Sequence, residues 1–372
     1  MRSPDVFVVA DNVLTPLGKT TAENFANLKN CRSAVKQHQH QSLSYFAALF
    51  GEAEFLSNQQ YTKFEQLLIA SIGEALKQCS LDAANKKTVL IVSSTKGNIS
   101  LLETEKNSPE LQKRIALSTS ARLVAEHFGF FNQPIIISNA CVSGVIAMIT
   151  GMRLLRTGQY ENAVIVGADV ISEFILSGFQ SFQALSTQVC RPFDKSRDGL
   201  NLGEGAGTII LSTNKKYEGN IKVKGGGISN DANHISGPSR TGQELSYAIH
   251  QSLKDADLNN SDIDFISAHG TATVYNDEME ANAIALSGLE KVPLNSLKGY
   301  YGHTLGAAGL TESIISIQSL KGKLFLPTPG FEERGVSQPV NVIASPLHLE
   351  ATNILKTASG FGGCNAAVVF GK

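Results

Sequence analysis

The chain has 372 residues, 42% hydrophobic and 17% charged, which gives enough apolar content for a large core and excludes wholesale disorder. Thirty-two basic against 33 acidic residues leave a net charge of −1, without the basic excess or basic run of a nucleic-acid binder. The length predicts two structural units, and 33 glycines, above the roughly 7% usual share, predict the many tight turns of a layered α/β enzyme.

In chain order, residues 6–9 predict a short strand, followed by a Pro16/Gly18 turn and a helix near residues 23–28. That opening apolar run, ended by Asp11, is too short for a signal peptide. Residues 31–60 read as a surface loop region, where His38 and His40 have no third ligand nearby for a metal. A helix over 63–78 leads to a β-branched strand at 88–93, and residues 115–128 are helical. Residues 134–152 carry no charge, yet Ser138, Asn139, Ser143 and Thr150 argue against a membrane span. They read instead as a strand at 135–137 running into a buried helix from Cys141 to about Arg156, stopped by Gly158.

Apolar strands follow at 163–168 and 207–211, and the second half repeats the rhythm. Strands are expected at 221–224, 263–267, 354–358 and 368–370. Leu245, Ile249 and Leu253 mark one helix face, with further helices at 277–286 and 305–320. Apolar rather than alternating strands mean a sheet covered on both faces. Residues 1–214, with Cys141, and 215–372, with His269 and His303, thus describe a duplicated α/β unit.

The five cysteines, at 31, 79, 141, 190 and 364, include no CxxC pair; this excludes a disulfide framework and a thiolate zinc site, and fits a reducing, cytoplasmic setting. Cys141 stands at a strand-to-helix junction, Ser138-Asn-Ala-Cys-Val-Ser-Gly. Free N–H groups and partial positive charge at a helix start favour a thiolate over the free value of ~8.5, and could stabilise an oxyanion. The same placement also suits a buried structural cysteine. His269 opens into Gly270-Thr-Ala-Thr after a strand, and His303 lies in a glycine-flanked loop entering a helix. Together with Cys141 they make a cysteine–histidine–histidine site. A Cys-His hydrolase is the generic competitor, but it needs a third group to orient one histidine.

Four segments carry a resemblance: residues 190–199 with Gly203-Glu-Gly-Ala-Gly, His269-Gly-Thr-Ala-Thr, Lys298 with His303-Thr-Leu-Gly-Ala-Ala-Gly, and Gly360-Phe-Gly-Gly-Cys-Asn. In this order and spacing the chain resembles an elongating β-ketoacyl-acyl carrier protein synthase of the thiolase fold. The resemblance implies duplicated, five-layered αβαβα halves and a decarboxylating Claisen condensation of an acyl group on Cys141 with a malonyl thioester. It implies that His269 and His303 hold the malonyl carbonyl and stabilise the enolate, and that Lys298, paired with Glu312, biases the local field. It gives the backbone N–H groups of Cys141 and Phe361 as the oxyanion hole, Phe361 as a gate, and Asp277 and Glu280 as support. Thr271, Thr273 and Gly362 would contact the substrate arm, while Asp231 and His234 match a family segment without a defined role. The resemblance implies no metal or organic cofactor beyond the phosphopantetheine arm of an acyl carrier protein, and a homodimer or a heterodimer with a related subunit. Lys113 and Arg114 resemble a basic pair at the entrance where an acidic carrier would dock.

The chain also departs from the family pattern. It is shorter before Cys141, has Val274 and Asn276 where the family often has proline and glycine, and runs Thr95-Lys96-Gly97-Asn98 where relatives run Gly-Ile-Gly-Gly. Lys96 either snorkels to solvent or crosses to a partner subunit, or lies in the acyl pocket, where it would disfavour long saturated chains and point to a specialised aryl-polyene or polyketide synthase as the alternative to fatty-acid synthesis. A non-catalytic chain-length partner would lack the nucleophile, and Cys141 is present. A degradative thiolase would use a second late cysteine, for which Cys364 is a superficial match.

Overall fold

A computed structural model describes residues 4–40, 43–51, 53–56, 58, 60–233 and 237–372. The strands Phe7–Leu14, Gly205–Ser212, Asn162–Asp169, Thr88–Ser93 and Ile135–Ile137 lie side by side in that order. Their pairings run antiparallel, antiparallel, parallel, parallel. The strands Lys222–Asn230, Cys364–Gly371, Asn353–Gly360, Phe265–Ser267 and Pro293–Asn295 repeat that pattern of directions. Asn341–Val342 adds a parallel edge to the second set, and the pairing of Phe7 with Lys222 joins the sets into an eleven-stranded sheet.

Helices make the remaining layers. Lys63–Leu76 covers the outer face of the first set, and Gln243–Ala256, with Val274–Leu286 beside it, covers the second. Between them lie Ser143–Arg156 and Ala308–Gly322, each packed on strands of both sets. Most residues of both helices are buried; the first carries no charge before Arg153, while the second buries small hydroxyl residues and the carboxylate of Glu312. This is the thiolase fold with its five layers. Gly144 allows the two central helices to approach, because a Cβ there would lie 2.8 Å from the Leu310 amide nitrogen.

The loop expected over residues 31–60 is instead partly a hairpin. Lys36–His40 pairs with Leu43–Ala48, which continues in parallel onto Leu202–Gly203. Its first strand, Lys-Gln-His-Gln-His, is polar on both faces, so no alternation marked it as β. His38 Nε2 lies 3.1 Å from the Ala47 carbonyl and His40 Nε2 lies 3.1 Å from Glu173. The expected 115–128 helix begins at Leu117, after a break at Ala116 that separates it from Pro109–Ile115. Among the described residues no helix is long and apolar enough to cross a membrane.

Candidate active site

Cys141 sits on a sharp turn between the strand Ile135–Ile137 and the helix Ser143–Arg156. Ala140 adopts a left-handed conformation, φ +44°, unusual for a residue with a Cβ. Ser143 fixes the turn: its hydroxyl donates to the Ala140 carbonyl at 2.6 Å and accepts from the Asn139 amide at 2.8 Å. The nucleophile candidate is therefore presented just before the helix start, two residues from its first turn. Gly360 packs against it so closely that a Cβ would stand 2.9 Å from the Cys141 amide nitrogen.

His269 follows the strand Phe265–Ser267, and two carboxylates on the next helix shape its loop. Glu280 accepts from the amides of His269 at 2.8 Å and Gly270 at 2.7 Å, and from the Thr357 hydroxyl at 2.6 Å. Asp277, one helical turn earlier on the same face, accepts from the amides of Thr271, Ala272 and Phe193. These bonds hold Ala272 at φ +61°, a second left-handed residue beside the site. His303 is held from the other side, its amide donating to the Asn201 carbonyl at 2.7 Å and its carbonyl accepting from Gly203 at 3.1 Å.

The two imidazoles face each other with centroids 5.2 Å apart and planes at 81°. With Cys141 they line one cavity of about 400 Å³, together with Thr271, Thr273, Phe361 and Gly362. Phe361 stacks on Phe179 at 5.6 Å and meets Phe182 edge-on at 5.3 Å. Asp231 and Asn365 also line it.

Beneath the histidines lies a buried charge cluster. The Lys298 ammonium donates to the His269 carbonyl at 2.5 Å and to Glu312 Oε1 at 2.7 Å, and lies 3.4 Å from His269 Nδ1. An ammonium has only donors, so Nδ1 is the acceptor and the proton of neutral His269 sits on Nε2. Lys356, passed over in the sequence, places its ammonium 2.6 Å from Glu312 Oε2. It also donates to the carbonyls of Ser267 and Ala268. All three side chains are fully buried. The signal for Lys356 was legible: it is the one charge in the otherwise uncharged strand Asn353–Gly360.

Burial sets the proton inventory. It holds both imidazoles well below the usual histidine range, with Lys298 adding to the effect, so each is neutral at pH 7. It also pushes the Cys141 thiol up to about 12, with Lys298 the main opposing charge. Against the expectation of a thiolate at the helix start stands this desolvation, which favours the thiol as the resting group. Asp277 is pushed up to about 6 by burial despite its hydrogen bonds.

Other expectations are corrected by position. Lys96 is exposed and does not line the cavity; its ammonium lies 5.6 Å from the centre of the Phe174 ring, at the end of a flexible stem. Arg114 is not a free docking cation but forms a two-pronged pair with the buried carboxylate of Glu65, while Lys113 is exposed. Cys364 lies outside the cavity lining, its thiol 2.8 Å from Asn139 Oδ1. His234 lies outside the described residues.

Comparison with known proteins accords with this geometry. Residues 37–216 match the beta-ketoacyl synthase N-terminal domain and residues 221–332 the beta-ketoacyl synthase C-terminal domain. The chain is 27% identical to a 3-oxoacyl-[acyl-carrier-protein] synthase 2 of Vibrio harveyi, over 100% of this chain and 99% of that one. Its fold matches the ishigamide ketosynthase/chain length factor at a TM-score of 0.90 with 24% identity, covering 100% of both chains. It also matches a structure of the ketosynthase ApeO in complex with its chain length factor ApeC from Xenorhabdus doucetiae, at a TM-score of 0.87 and 26% identity, covering 99% and 98%. A cysteine and two neutral histidines around one cavity, on a duplicated thiolase scaffold matched by both family domains, place this chain in the β-ketoacyl synthase family of condensing acyltransferases.

Proposed function

We propose that the chain condenses an acyl group carried on Cys141 with a malonyl group on an acyl carrier protein. The observation that carries this reading is the His269–His303 pair, 5.2 Å apart and facing the same cavity as Cys141. In the first half-reaction the Cys141 sulfur attacks the acyl thioester, and its proton passes to the departing pantetheine thiolate. The amides of Cys141 and Phe361 hold the oxyanion, a contribution of about 3 kcal/mol per donor. In the second, loss of CO2 leaves an enolate whose oxygen accepts hydrogen bonds from His269 Nε2–H and His303. The enolate carbon then attacks the acyl carbonyl and the Cys141 thiolate leaves, to take up a proton from solvent. CO2 loss supplies the driving force, so the chain's residues need no metal or organic cofactor for this sequence.

Thr271 and Thr273, with hydroxyls 2.9 Å apart on the cavity wall, are placed to bond the amides of a pantetheine arm, and Gly362 leaves room beside it. The partner subunit would add to the edge strand Ile135–Ile137, whose three isoleucines are half-buried in the single chain. The chain length factors named with the similar ketosynthases favour a heterodimer with a related subunit, and hence specialised over housekeeping synthesis.

Intact-mass analysis with a panel of acyl-carrier thioesters, followed by malonyl-carrier addition, tests this reading. The expected result is an acyl adduct on Cys141, then CO2 release and a β-ketoacyl carrier product. Acylation without condensation, with an added related subunit as well as without one, would overturn it.

A further inference from the structure

Lys356 has no part in the mechanism above, yet it is a fully buried lysine in a strand that bears no other charge. Burying an ammonium is expensive unless it is paired, so its partners show what it is placed to do. Three are at hand. Its Nζ is 2.6 Å from Glu312 Oε2, an ion pair that falls short of hydrogen-bond alignment. It donates at 3.2 Å and 3.0 Å to the carbonyls of Ser267 and Ala268, the two residues that lead directly into His269. Lys298 grips the same point from the other side through the His269 carbonyl and shares the other oxygen of Glu312.

The arrangement differs from a simple lysine–glutamate pair in its charge. One carboxylate lies between two ammonium groups, so Glu312 cannot neutralise both. Glu280 supplies a second negative charge, held among the amides of His269 and Gly270 and the Thr357 hydroxyl, so the two lysines and two glutamates balance overall and what differs is where each charge sits. The two ammonium groups are the charges set closest beneath the imidazoles and act on both of them, opposite the face where an enolate oxygen would accumulate negative charge.

We propose that Lys356 is a positioning residue for the decarboxylation half-reaction: it fixes the strand end that presents His269 and, sharing Glu312 with Lys298, sets a second ammonium beneath the histidine pair. This rests on the reading that His269 and His303 stabilise the malonyl enolate. Lys356 touches neither substrate nor the reacting sulfur and acts through the histidines alone. The groups facing the imidazoles are each other, Lys298, Lys356 and Cys141, with Glu312 and Glu280 behind them. Lys356 pushes both imidazole titrations downward, in the same direction as burial and Lys298.

Two readouts on Lys356→Met and Lys356→Arg in the otherwise intact enzyme test this. Malonyl-carrier decarboxylation should fall about tenfold in Lys356→Met while acylation of Cys141 stays close to wild type, and Lys356→Arg should recover most of the loss. NMR titration of 13C-labelled imidazoles, assigned with His269→Gln and His303→Gln, should show both midpoints moving up in Lys356→Met. A purely structural role would lower acylation and decarboxylation together. Equal losses in both half-reactions, or histidine titrations that do not move, would overturn the proposal. If Lys356→Met does not fold, Lys356→Gln carries the same comparison, and failure of both neutral variants beside a folded but decarboxylation-impaired Lys356→Arg would overturn it too. Normal decarboxylation by His269→Ala and His303→Ala would instead strike the underlying reading, so the two failures are separable.

Discussion

The Lys298 ammonium stands 3.4 Å from Nδ1 of His269 and 2.5 Å from its backbone carbonyl. One charge thereby sets the tautomer of that histidine, adds to burial in keeping it neutral, and helps hold its loop. A histidine in this setting can only donate from Nε2, so an electrophilic role in holding a carbonyl oxygen is built in before substrate arrives.

Loss of either imidazole should separate the half-reactions. His269→Ala and His303→Ala should each reduce condensation by roughly 10²-fold or more, the scale of a lost oxyanion donor. Acylation of Cys141 should remain detectable by intact mass. Variants that acylate poorly but turn over preloaded acyl groups at wild-type rates would contradict the roles assigned.

Alkylation of Cys141 should report its burial. With the thiol pushed up to about 12, the thiolate fraction keeps growing through pH 9 and 10, so the iodoacetamide rate should climb without levelling near ~8.5. Lys298→Met removes the main charge favouring the thiolate and should slow alkylation further at every pH. A plateau near neutrality would show that the helix field outweighs desolvation after all.

Gly360→Ala should act on the nucleophile without touching its sulfur. The new Cβ would lie 2.9 Å from the Cys141 amide nitrogen, closer than real contacts allow, and would displace a proposed oxyanion donor. Acylation should drop at least about tenfold. Gly73→Ala, at a helical position with nothing within 4 Å, is the matched control and should leave acylation unchanged.

The Glu65–Arg114 pair should appear in stability rather than in carrier binding. Glu65 is wholly buried and also accepts from Ser120 at 2.7 Å and Asn98 at 3.1 Å. Burial alone would raise its carboxyl, but the Arg114 guanidinium, the Thr62 amide and the Ser120 hydroxyl hold it below the ordinary carboxylate range. A lowered folded-state value contributes stability that is present above the unfolded pKa and lost as pH falls through the folded one. Arg114→Ala should therefore destabilise by about 3 kcal/mol near neutrality, with a smaller difference from wild type in acid. Lys113→Glu, at an exposed position, should leave the melting temperature unchanged. Carrier affinity that falls in Arg114→Ala without loss of stability would restore the docking role.

Several features were determined by the sequence alone because they are local. Apolar runs at 88–93, 163–168 and 207–211 could only be strands covered on both faces, and a helix without charge before Arg153 could only be enclosed. Cys141, His269 and His303 were legible for the same reason, each standing at the end of an element beside glycine or other small residues. Tertiary structure alone decided what depends on distant partners. Arg114 reads as a surface cation until Glu65, 49 residues earlier, is found against it, and Lys96 reads as a pocket residue until its stem is seen to turn outward. The cysteine's protonation state followed from desolvation, which neighbours in sequence cannot report. Lys356, 87 residues from His269 along the chain, becomes part of the site because parallel pairing of Asn353–Gly360 with Phe265–Ser267 sets the lysine beside the carbonyls that precede the histidine.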